Sequence, residues 1–446
     1  MTQDVPVNQA YLRGSRLRRG LGWLRDGRPD LALPVFRILH ENEPGDPVVT
    51  LALATALLRN ADPSAALETF DSLLSDHPEH TGALQGRGLC LHVSGDIPAA
   101  LDAFRRAVAI DPLAWRSWQS IADITPHEDE RVHAIEGAAD ALSVLCQAGT
   151  APASQLADLT SALIEARLPG KVARVLETRT LSASSDSRLI RARARALYHA
   201  GDHRSAFLEA ARLWRTVRER PPADTAPQTF QPADAKNVLT DLRGLLSAAG
   251  VESFLIAGTL LGFHRDGGPL PHDRDIDIGV FRTPEGGPDI AGIFRAAPGI
   301  LLPRIARPGD RYFGLMHKGV AVDIFVHDRS GPHILTGVSH MHGDIQWRFS
   351  EFGLRSASYG GQVWTVPSDP ARYLTETYGP GWQTPDTYFA SAVSSPALCG
   401  VSPHARAYYA IMRAIRALTS GDTAKATALI AGSPVPLPPE YLQPTN

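Results

Sequence analysis

The sequence lacks any long apolar run. A membrane-spanning helix needs about 18 or more consecutive apolar residues, and no stretch of the 446 residues provides them, so no transmembrane segment is predicted. The first residues also lack the basic and apolar regions of a secretory signal peptide. We therefore expect a soluble, cytoplasmic protein.

Cysteine and excess charge are scarce as well. The three cysteines, Cys90, Cys146 and Cys399, lie far apart without metal-binding spacing, which predicts no disulfide framework. The net charge is −3 and the pI is about 6.6, so no overall basic field favours nucleic acid as a partner. The length predicts two or more domains.

A period of 34 residues is present near the start of the chain. Aromatic, small and proline positions recur at this spacing: Phe36, Phe70 and Phe104; Ala32, Ala66 and Ala100; Gly27, Ala61 and Gly95; Pro44, Pro78 and Pro112. An Ala-x3-Phe pair, a small residue between helices and a closing proline are typical of tetratricopeptide (TPR) repeats. Residues 13–114 are therefore predicted to form three stacked helix pairs.

From residue 115 to about 220 the period fades while the helical pattern continues. We interpret this stretch as irregular or capping repeats, with an unrelated helical connector as the alternative. Residues 1–220 are thus predicted to form an all-α, TPR-like helical repeat domain. Residues 221–234 contain Pro221, Pro222, Pro227 and Pro232, a composition typical of an extended linker.

The second half mixes the two kinds of periodicity. Helical patterns are found at 235–249, 289–296 and 369–378, and strand patterns at 254–257, 273–278, 301–305, 312–317 and 320–326. This order predicts an α/β or α+β domain over residues 235–400. Residues 401–446 are predicted to form a helix pair and a tail. The whole chain is therefore expected to be multidomain.

One strand of this domain is unusually acidic. Asp273, Asp275 and Asp277 alternate with aliphatic or basic residues, so all three carboxylates share one face, roughly 7 Å apart. Such crowding is unfavourable unless protons or a cation neutralise it, and Mg²⁺ or Mn²⁺ with oxygen ligands is the natural counter-charge. Asp323 lies inside a later apolar strand, where a lone carboxylate is costly unless paired or metal-bound.

A turn precedes the acidic strand. Gly258 and Thr259 end an apolar strand and begin a helix, whose free N–H groups would suit a phosphate. Thr259 could equally serve as an ordinary helix cap. Arg265, further along that helix, is a candidate for bidentate phosphate binding, and Lys318, ahead of the Asp323 strand, is a second one.

Together these motifs resemble a known family. The run Gly258-Thr259-Leu260-Leu261-Gly262, the acidic strand Asp273-x-Asp275-x-Asp277 and the later Asp323 are similar to the LicD/fukutin family within the nucleotidyltransferase fold. Further matches are Val366-Pro367, Tyr373-Leu374 and Tyr378-Gly379. The resemblance covers about residues 239–385.

The resemblance implies an activity. The LicD/fukutin family transfers phospho-alcohol groups, such as ribitol phosphate or phosphocholine, from CDP-activated donors to glycan acceptors. It implies that Asp275, Asp277 and Asp323 are catalytic and hold Mg²⁺, with Asp273 as a further candidate ligand. Asp323 would complete a second metal site or accept a proton. It also implies capsule or surface-polysaccharide synthesis and, as an option, attachment at the inner membrane face.

Two alternatives stay open at this point. The same site could catalyse nucleotidyl transfer and release pyrophosphate, or the transferase half could be inactive in a protein that acts as a TPR scaffold. In each case the TPR repeats are expected to bind a protein partner on their concave surface.

Overall fold

The structure, a computed structural model, describes residues 5–147, 151–177, 186–218, 231–270, 273, 275–285 and 287–441. The chain forms two compact units, Met1–Ala151 and Pro152–Asn446.

The described part of the first unit is helical. Its helices are α1 (Val5–Arg25), α2 (Pro29–Asn42), α3 (Pro47–Arg59), α4 (Pro63–Asp76), α5 (Thr81–Val93), α6 (Ile97–Ile110), α7 (Trp115–Ile124) and α8 (Glu128–Gln147). Neighbours in sequence pack against each other, as in TPR stacks.

The 34-residue period has a direct packing cause. Phe104 is fully buried, and a Cβ built on Gly88 would lie 2.5 Å from its ring. Gly20 faces Phe36 in the same way, at 2.7 Å. Small residues are therefore needed where the helices of a pair cross, because a side chain there would occupy the space of the aromatic ring.

The second unit begins with four more helices and closes with a matching pair. These are α9 (Ala153–Glu165), α10 (Pro169–Glu177), α11 (Ser187–His199), α12 (His203–Arg218), and, at the other end, α18 (Pro403–Thr419) and α19 (Thr423–Ala431). The turns at Gly201 and Gly421 are both left-handed, and Asp202 and Asp422 cap the helices that follow. These turns repeat the arrangement at Gly95, so both helix pairs are TPR-like hairpins.

The boundaries between compact units differ from the predicted domains. Helices α11 and α12 share one hydrophobic cluster with α18 and α19, although about 200 residues separate the pairs. The contact boundary therefore falls after Ala151 rather than near residue 220, and the C-terminal pair is no separate unit. Of the predicted linker, residues 221–230 lie outside the described residues, and Pro232 opens helix α13 (Pro232–Ala248).

A mixed sheet forms the centre of the second unit. Its elements after α13 are β1 (Ser253–Leu255), α14 (Ala257–Asp266), β2 (Asp275–Phe281), α15 (Ile290–Ala296), β3 (Ile300–Leu301), β4 (Tyr312–His317), β5 (Val320–Ser330), β6 (His333–Gly337) and β7 (Gln346–Ser350). The order is β1-β2-β5-β4-β3, and β6 pairs with β5 and β7. Strands β2 and β5 are parallel, whereas the other pairs are antiparallel.

The remaining elements surround this sheet: the hairpin β8 (Leu354–Tyr359) and β9 (Gln362–Pro367), and helices α16 (Pro370–Tyr378) and α17 (Ser391–Ser394). One hydrophobic core joins α13, α14, α16 and the sheet. This architecture confirms the predicted fold class, a helical repeat part followed by an α/β part. Within the described ranges, no helix is long and apolar enough to cross a bilayer.

Candidate active site

The parallel pairing of β2 and β5 brings the predicted carboxylates together. Asp277 and Asp323 are direct partners across the two strands, and Asp275 lies opposite Ala321 on the same face. Neighbouring strands are about 4.8 Å apart, so these side chains emerge side by side. Asp273, Asp275, Asp277 and Asp323 are each partly exposed, which leaves the cluster open to a ligand.

The Gly258–Thr259 turn is attached to this strand. The Gly258 N–H donates to the Asp277 carboxylate at 3.0 Å, and the Asp277 N–H donates to Thr259 Oγ1 at 2.8 Å. A Cβ on Gly258 would lie 2.9 Å from Asp273 Oδ2 and 3.2 Å from Asp277 Oδ2, so a larger residue here would force these carboxylates to move. Ala257, just before it, has a left-handed φ of 43°. These contacts fix the start of α14 against strand β2.

The charge of Asp277 is strongly disfavoured. Burial, followed by Asp275, Asp273 and Asp323, raises its pKa well above the usual range, and the Gly258 N–H opposes this only in part. Removing carboxylates from water and placing them next to one another both favour the protonated form. A cation or a cationic ligand at this face would relieve that repulsion.

Asp323 has a partner of its own. The Tyr312 hydroxyl donates to Asp323 Oδ1 at 2.7 Å. Burial and Asp275 raise the pKa of Asp323 to about 6, while Tyr312, Arg413 and Arg416 act in the opposite direction. The two arginines lie on α18, so the C-terminal helix contributes positive charge to the site.

A glycine makes the Tyr312 contact possible. Gly314 is the direct partner of Asp323 in β4, and a Cβ there would lie 2.6 Å from the Tyr312 hydroxyl. The ring of Tyr312 therefore lies across the space that a side chain at 314 would fill. The contact between Tyr312 and Asp323 was not predicted from the sequence, although the alternation of β4 places Tyr312 and Gly314 on one face.

Two tyrosines of α16 complete the surroundings. Burial and the nearby Asp277 raise the pKa of both Tyr373 and Tyr378, and Asp273 and Asp275 add to the effect on Tyr378. Their hydroxyls therefore stay protonated beside the carboxylates. The sequence identifies Tyr373 and Tyr378 only as part of the family resemblance, and their approach to the acidic face depends on how α16 packs against α14.

The two basic candidates have other contacts. Lys318 lies in the left-handed turn between β4 and β5, and its ammonium pairs with Asp241 of α13 at 2.7 Å. Arg265 lies in the last turn of α14 and pairs with the adjacent Asp266 at 3.1 Å. Neither residue has a described contact with the aspartates, and their phosphate-binding roles stay predictions.

The donor set suits a hard cation that shares its ligands with a substrate. Oxygen-only ligands are those of Mg²⁺ or Mn²⁺, and Mg²⁺ is usually held by one or two carboxylates plus substrate phosphates rather than by a protein cage. Among the described residues, no group of three or more His, Cys, Asp or Glu side chains is placed so that it could hold a metal ion by itself. The carboxylates share one face of the sheet, and a cation held there would need substrate oxygens as further ligands.

Comparison with known proteins finds two families. Residues 250–285 match the nucleotidyltransferase domain described as LicD/FKTN/FKRP, and residues 51–114 match a tetratricopeptide repeat family. The ribitol-5-phosphate transferase FKTN is 28% identical in mouse and 26% identical in human, over 156 residues. That stretch is 34% of this chain and 33% of each relative, so the match spans about a third of their length.

Solved structures to which the chain is similar share little sequence identity with it. PilF of Pseudomonas aeruginosa is 16% identical, with a TM-score of 0.33, over 48% of this chain and 95% of that one. A tetratricopeptide repeat protein from Parabacteroides merdae is 14% identical, with a TM-score of 0.29, over 46% and 83%. The family matches confirm both resemblances found in the sequence and support a family of phosphotransferases.

Proposed function

We propose that the protein transfers a phospho-alcohol group, such as ribitol phosphate, glycerol phosphate or phosphocholine, from a CDP-activated donor to a glycan acceptor. The observation that carries this proposal is the Asp277–Asp323 pair on adjacent parallel strands, with the Gly258 N–H donating to Asp277. The likeness of residues 250–285 to the LicD/FKTN/FKRP domain supports the same reaction type.

Asp275 and Asp277 would hold Mg²⁺ or Mn²⁺, with Asp323 and Asp273 as further candidate ligands. When bound, the ion would neutralise charge on the donor's pyrophosphate. The protein's own part is to gather the carboxylates in one register and to fix Asp277 through Gly258 and Thr259.

The acceptor hydroxyl would attack the distal phosphorus of the donor. A new P–O bond forms to the acceptor oxygen, the bond to the bridging oxygen breaks, and CMP leaves. The proton of the hydroxyl would pass to a carboxylate, for which Asp323 is the candidate. The hydrogen bond that the Tyr312 hydroxyl donates to Asp323 Oδ1 would keep this carboxylate oriented.

Phosphate positioning would come from the start of α14, where Gly258 and Thr259 lie, and from Arg265 and Lys318 if a bound donor recruits them from their present partners. The TPR repeats 13–114 would recruit a protein partner. We also propose a cytoplasmic site of action, including the inner membrane face, in polysaccharide synthesis.

Donor binding tests the proposal. Thermal unfolding is measured with CDP-ribitol, CDP-glycerol, CDP-choline and a set of other nucleotides, with and without Mg²⁺, on wild type and Asp275→Ala. A ligand at 100 times its Kd adds about 2.7 kcal/mol to the unfolding free energy, a readily measured shift. We expect a Mg²⁺-dependent shift with one CDP-alcohol that Asp275→Ala abolishes.

Other outcomes would redirect the interpretation. A Mg²⁺-dependent shift with a nucleoside triphosphate and none with CDP-alcohols would favour nucleotidyl transfer. No shift with any nucleotide would contradict the proposal and favour a TPR scaffold with an inactive transferase part.

A further inference from the structure

The first helix of each repeat presents a stripe of accessible residues. Helices α1, α3 and α5 do so at the same four positions, separated by three, four and four residues, which lie along one side of a helix. All twelve residues are exposed or half-buried, and together we call them the stripe face. They are Gly14, Leu17, Leu21 and Arg25 in α1, Val48, Leu51, Thr55 and Arg59 in α3, and Gly82, Gln85, Leu89 and Val93 in α5.

The three stripes lie side by side. A Cβ built on Gly82 of α5 would lie 3.4 Å from Leu51 Cδ2 of α3. The Arg59 guanidinium of α3 donates to the Leu24 carbonyl of α1 at 2.7 Å. Packed helices are about 8–10 Å apart, so the stripe face extends roughly 20 Å across the repeats, the length of a helix of about four turns.

Apolar side chains of the stripe face remain in contact with solvent. Leu21, Val48 and Val93 are 42%, 53% and 66% exposed. Leu17, Leu51 and Leu89 are half-buried and lie along the same stripes. Single exposed apolar residues are common on protein surfaces, but a continuous apolar patch across several helices is typical of an interaction site.

The charges of the repeat helices are segregated. The sequences of α1, α3 and α5 contain five, one and one arginine and neither aspartate nor glutamate, whereas those of α2, α4 and α6 contain two, three and one acidic residues. Arg13 pairs with Glu43 and Asp46, and Arg87 pairs with Asp71. The other five arginines are exposed and form no ion pair within the described ranges: Arg16, Arg18, Arg19, Arg25 and Arg59.

We propose that the stripe face binds an acidic amphipathic helix of a partner protein, which packs aliphatic side chains on the apolar residues and pairs its carboxylates with Arg25 and Arg59. The inference rests on the proposed recruiting role of the repeats, and it names the chemistry of the partner. A helix bound in a groove is anchored through apolar residues at positions i, i+3 or i+4, and i+7. The arginines would accelerate the association of an acidic helix and disfavour a basic one.

The side chains of the stripe face favour a protein segment over a nucleic acid. A single nucleic acid strand also complements arginines, but it is bound by aromatic side chains that stack on its bases. The twelve residues of the stripe face are Gly, Leu, Val, Thr, Gln and Arg, and none is aromatic. Its apolar surface therefore suits aliphatic anchors, which an oligonucleotide does not have.

Peptide selection on the full chain tests this inference. A phage library of random peptides about 16 residues long, at least four helical turns, is selected against the protein at low salt. The enriched peptides are synthesised with a fluorophore, and their binding is measured by anisotropy. We expect peptides with net negative charge and with leucine, isoleucine or phenylalanine at helical spacing. Their affinity should fall as the salt concentration rises, because salt screens exposed charges.

Two double variants separate the charged and apolar contributions. Arg25→Glu combined with Arg59→Glu should weaken binding of a selected peptide at least about tenfold, because two attractions become repulsions. Leu21→Ser combined with Val48→Ser should also weaken it at least about tenfold, because two apolar contacts are lost. Thermal unfolding of each variant verifies that it is folded.

Matched controls separate this surface from general charge effects and from turnover. Arg37→Glu of α2 combined with Arg106→Glu of α6 reverses two exposed arginines outside the stripe face, and binding should stay within about twofold of wild type because distant charges are screened. Asp277→Asn should bind the peptide as wild type does. A failed transferase assay therefore leaves this test valid, and failed peptide binding leaves the proposed transfer reaction standing.

Four outcomes would overturn the inference. The first two are that no peptide is enriched, or that the enriched peptides are neutral or basic. The third is an equal loss of binding in the control and in the Arg25 and Arg59 double variant. The fourth is equal affinity for an oligoglutamate or a single-stranded DNA of the same length, which would indicate a general preference for anions.

Discussion

The aspartates of the repeat helices and those of the acidic strand β2 have opposite surroundings. In the repeat unit, Asp62 and Asp96 each accept the N–H of a residue three positions later, Ala65 and Ala99, and so cap α4 and α6. In the second unit, Asp277 faces other carboxylates, which raise its pKa. A capping carboxylate stabilises its helix by about 1 kcal/mol, whereas crowded carboxylates destabilise one another.

The contrast separates acidic residues that shape the fold from acidic residues that we propose bind a ligand. Helix capping by aspartate recurs in successive repeats and involves only residues that are near in sequence. Crowding on β2 and β5 disfavours the charged form of Asp277, so we propose that a cation bound at this face would stabilise the protein. Substitutions on the two sides of this contrast should therefore have different effects.

The largest effect is expected from removing one crowded charge. Asp277→Asn keeps an oxygen that can accept from Gly258 but removes the charge, so transfer should fall at least about a thousandfold. The unfolding free energy should rise, because repulsion is lost. Steady-state transfer rates and urea unfolding measure the two quantities.

The matched control is Asp62→Asn in the repeat unit. Asparagine caps helices about as well as aspartate, so activity should stay unchanged and stability should stay within about 0.5 kcal/mol. Equal losses of activity in both variants, or a less stable Asp277→Asn protein, would contradict the contrast.

The pH dependence of stability should come from the sheet region. His327 is buried, with Nδ1 hydrogen-bonded to the Phe325 carbonyl, and burial lowers its pKa to about 4. The unfolded chain therefore binds a proton at His327 at a higher pH than the folded protein does. The contribution of His327 to the unfolding free energy is complete above pH 6.5 and is lost as the pH falls toward 4. The loss is roughly 3 kcal/mol by linkage.

Urea unfolding of wild type and His327→Leu at pH 7, 5.5 and 4.5 measures this effect. As the pH falls, wild type should lose more unfolding free energy than His327→Leu, so the stability of the variant relative to wild type should rise. A constant difference across this range would show that His327 does not titrate on unfolding.

A smaller effect is expected where Tyr312 orients Asp323. Tyr312→Phe removes the hydroxyl that donates to Asp323, and Gly314→Ala displaces it by steric overlap. Each should reduce transfer about tenfold, as expected for a lost hydrogen bond to a charged group. The double variant should be no worse than either single one, since both remove the same contact. Additive losses would contradict this coupling.

The smallest effect is expected in the repeat unit. Ala61 has a left-handed φ of 62° at the position where the neighbouring repeats have Gly27 and Gly95. Ala61→Gly should raise the unfolding free energy by about 0.5–1 kcal/mol, because glycine adopts this conformation without steric strain. Thermal unfolding measures it, and no gain would mean that the turn is unstrained.

Sequence patterns are most informative where contacts are local. Helices packed against their neighbours in the chain produce a fixed period, so the spacing of Phe36, Phe70 and Phe104 alone identifies the repeats. The acidic strand is predictable for a similar reason, because alternation alone places Asp275 and Asp277 on one face.

Contacts across long stretches of sequence are not predictable in this way. A strand pattern shows which side chains share a face but not which strand pairs with it, so the Tyr312–Asp323 contact was missed. The packing of α11 and α12 on α18 depends on residues about 200 positions apart, and it places the unit boundary at Ala151. The contacts of Lys318 and Arg265 likewise depend on tertiary neighbours.

The nucleotide released during turnover tests the central claim most directly. The protein is incubated with Mg²⁺, a CDP-alcohol that stabilises it and a glycan acceptor, and the products are identified by mass spectrometry. The account predicts CMP and an acceptor heavier by one phospho-alcohol group, both absent with Asp277→Asn. Release of pyrophosphate, or equal CMP release by wild type and Asp277→Asn, would contradict it.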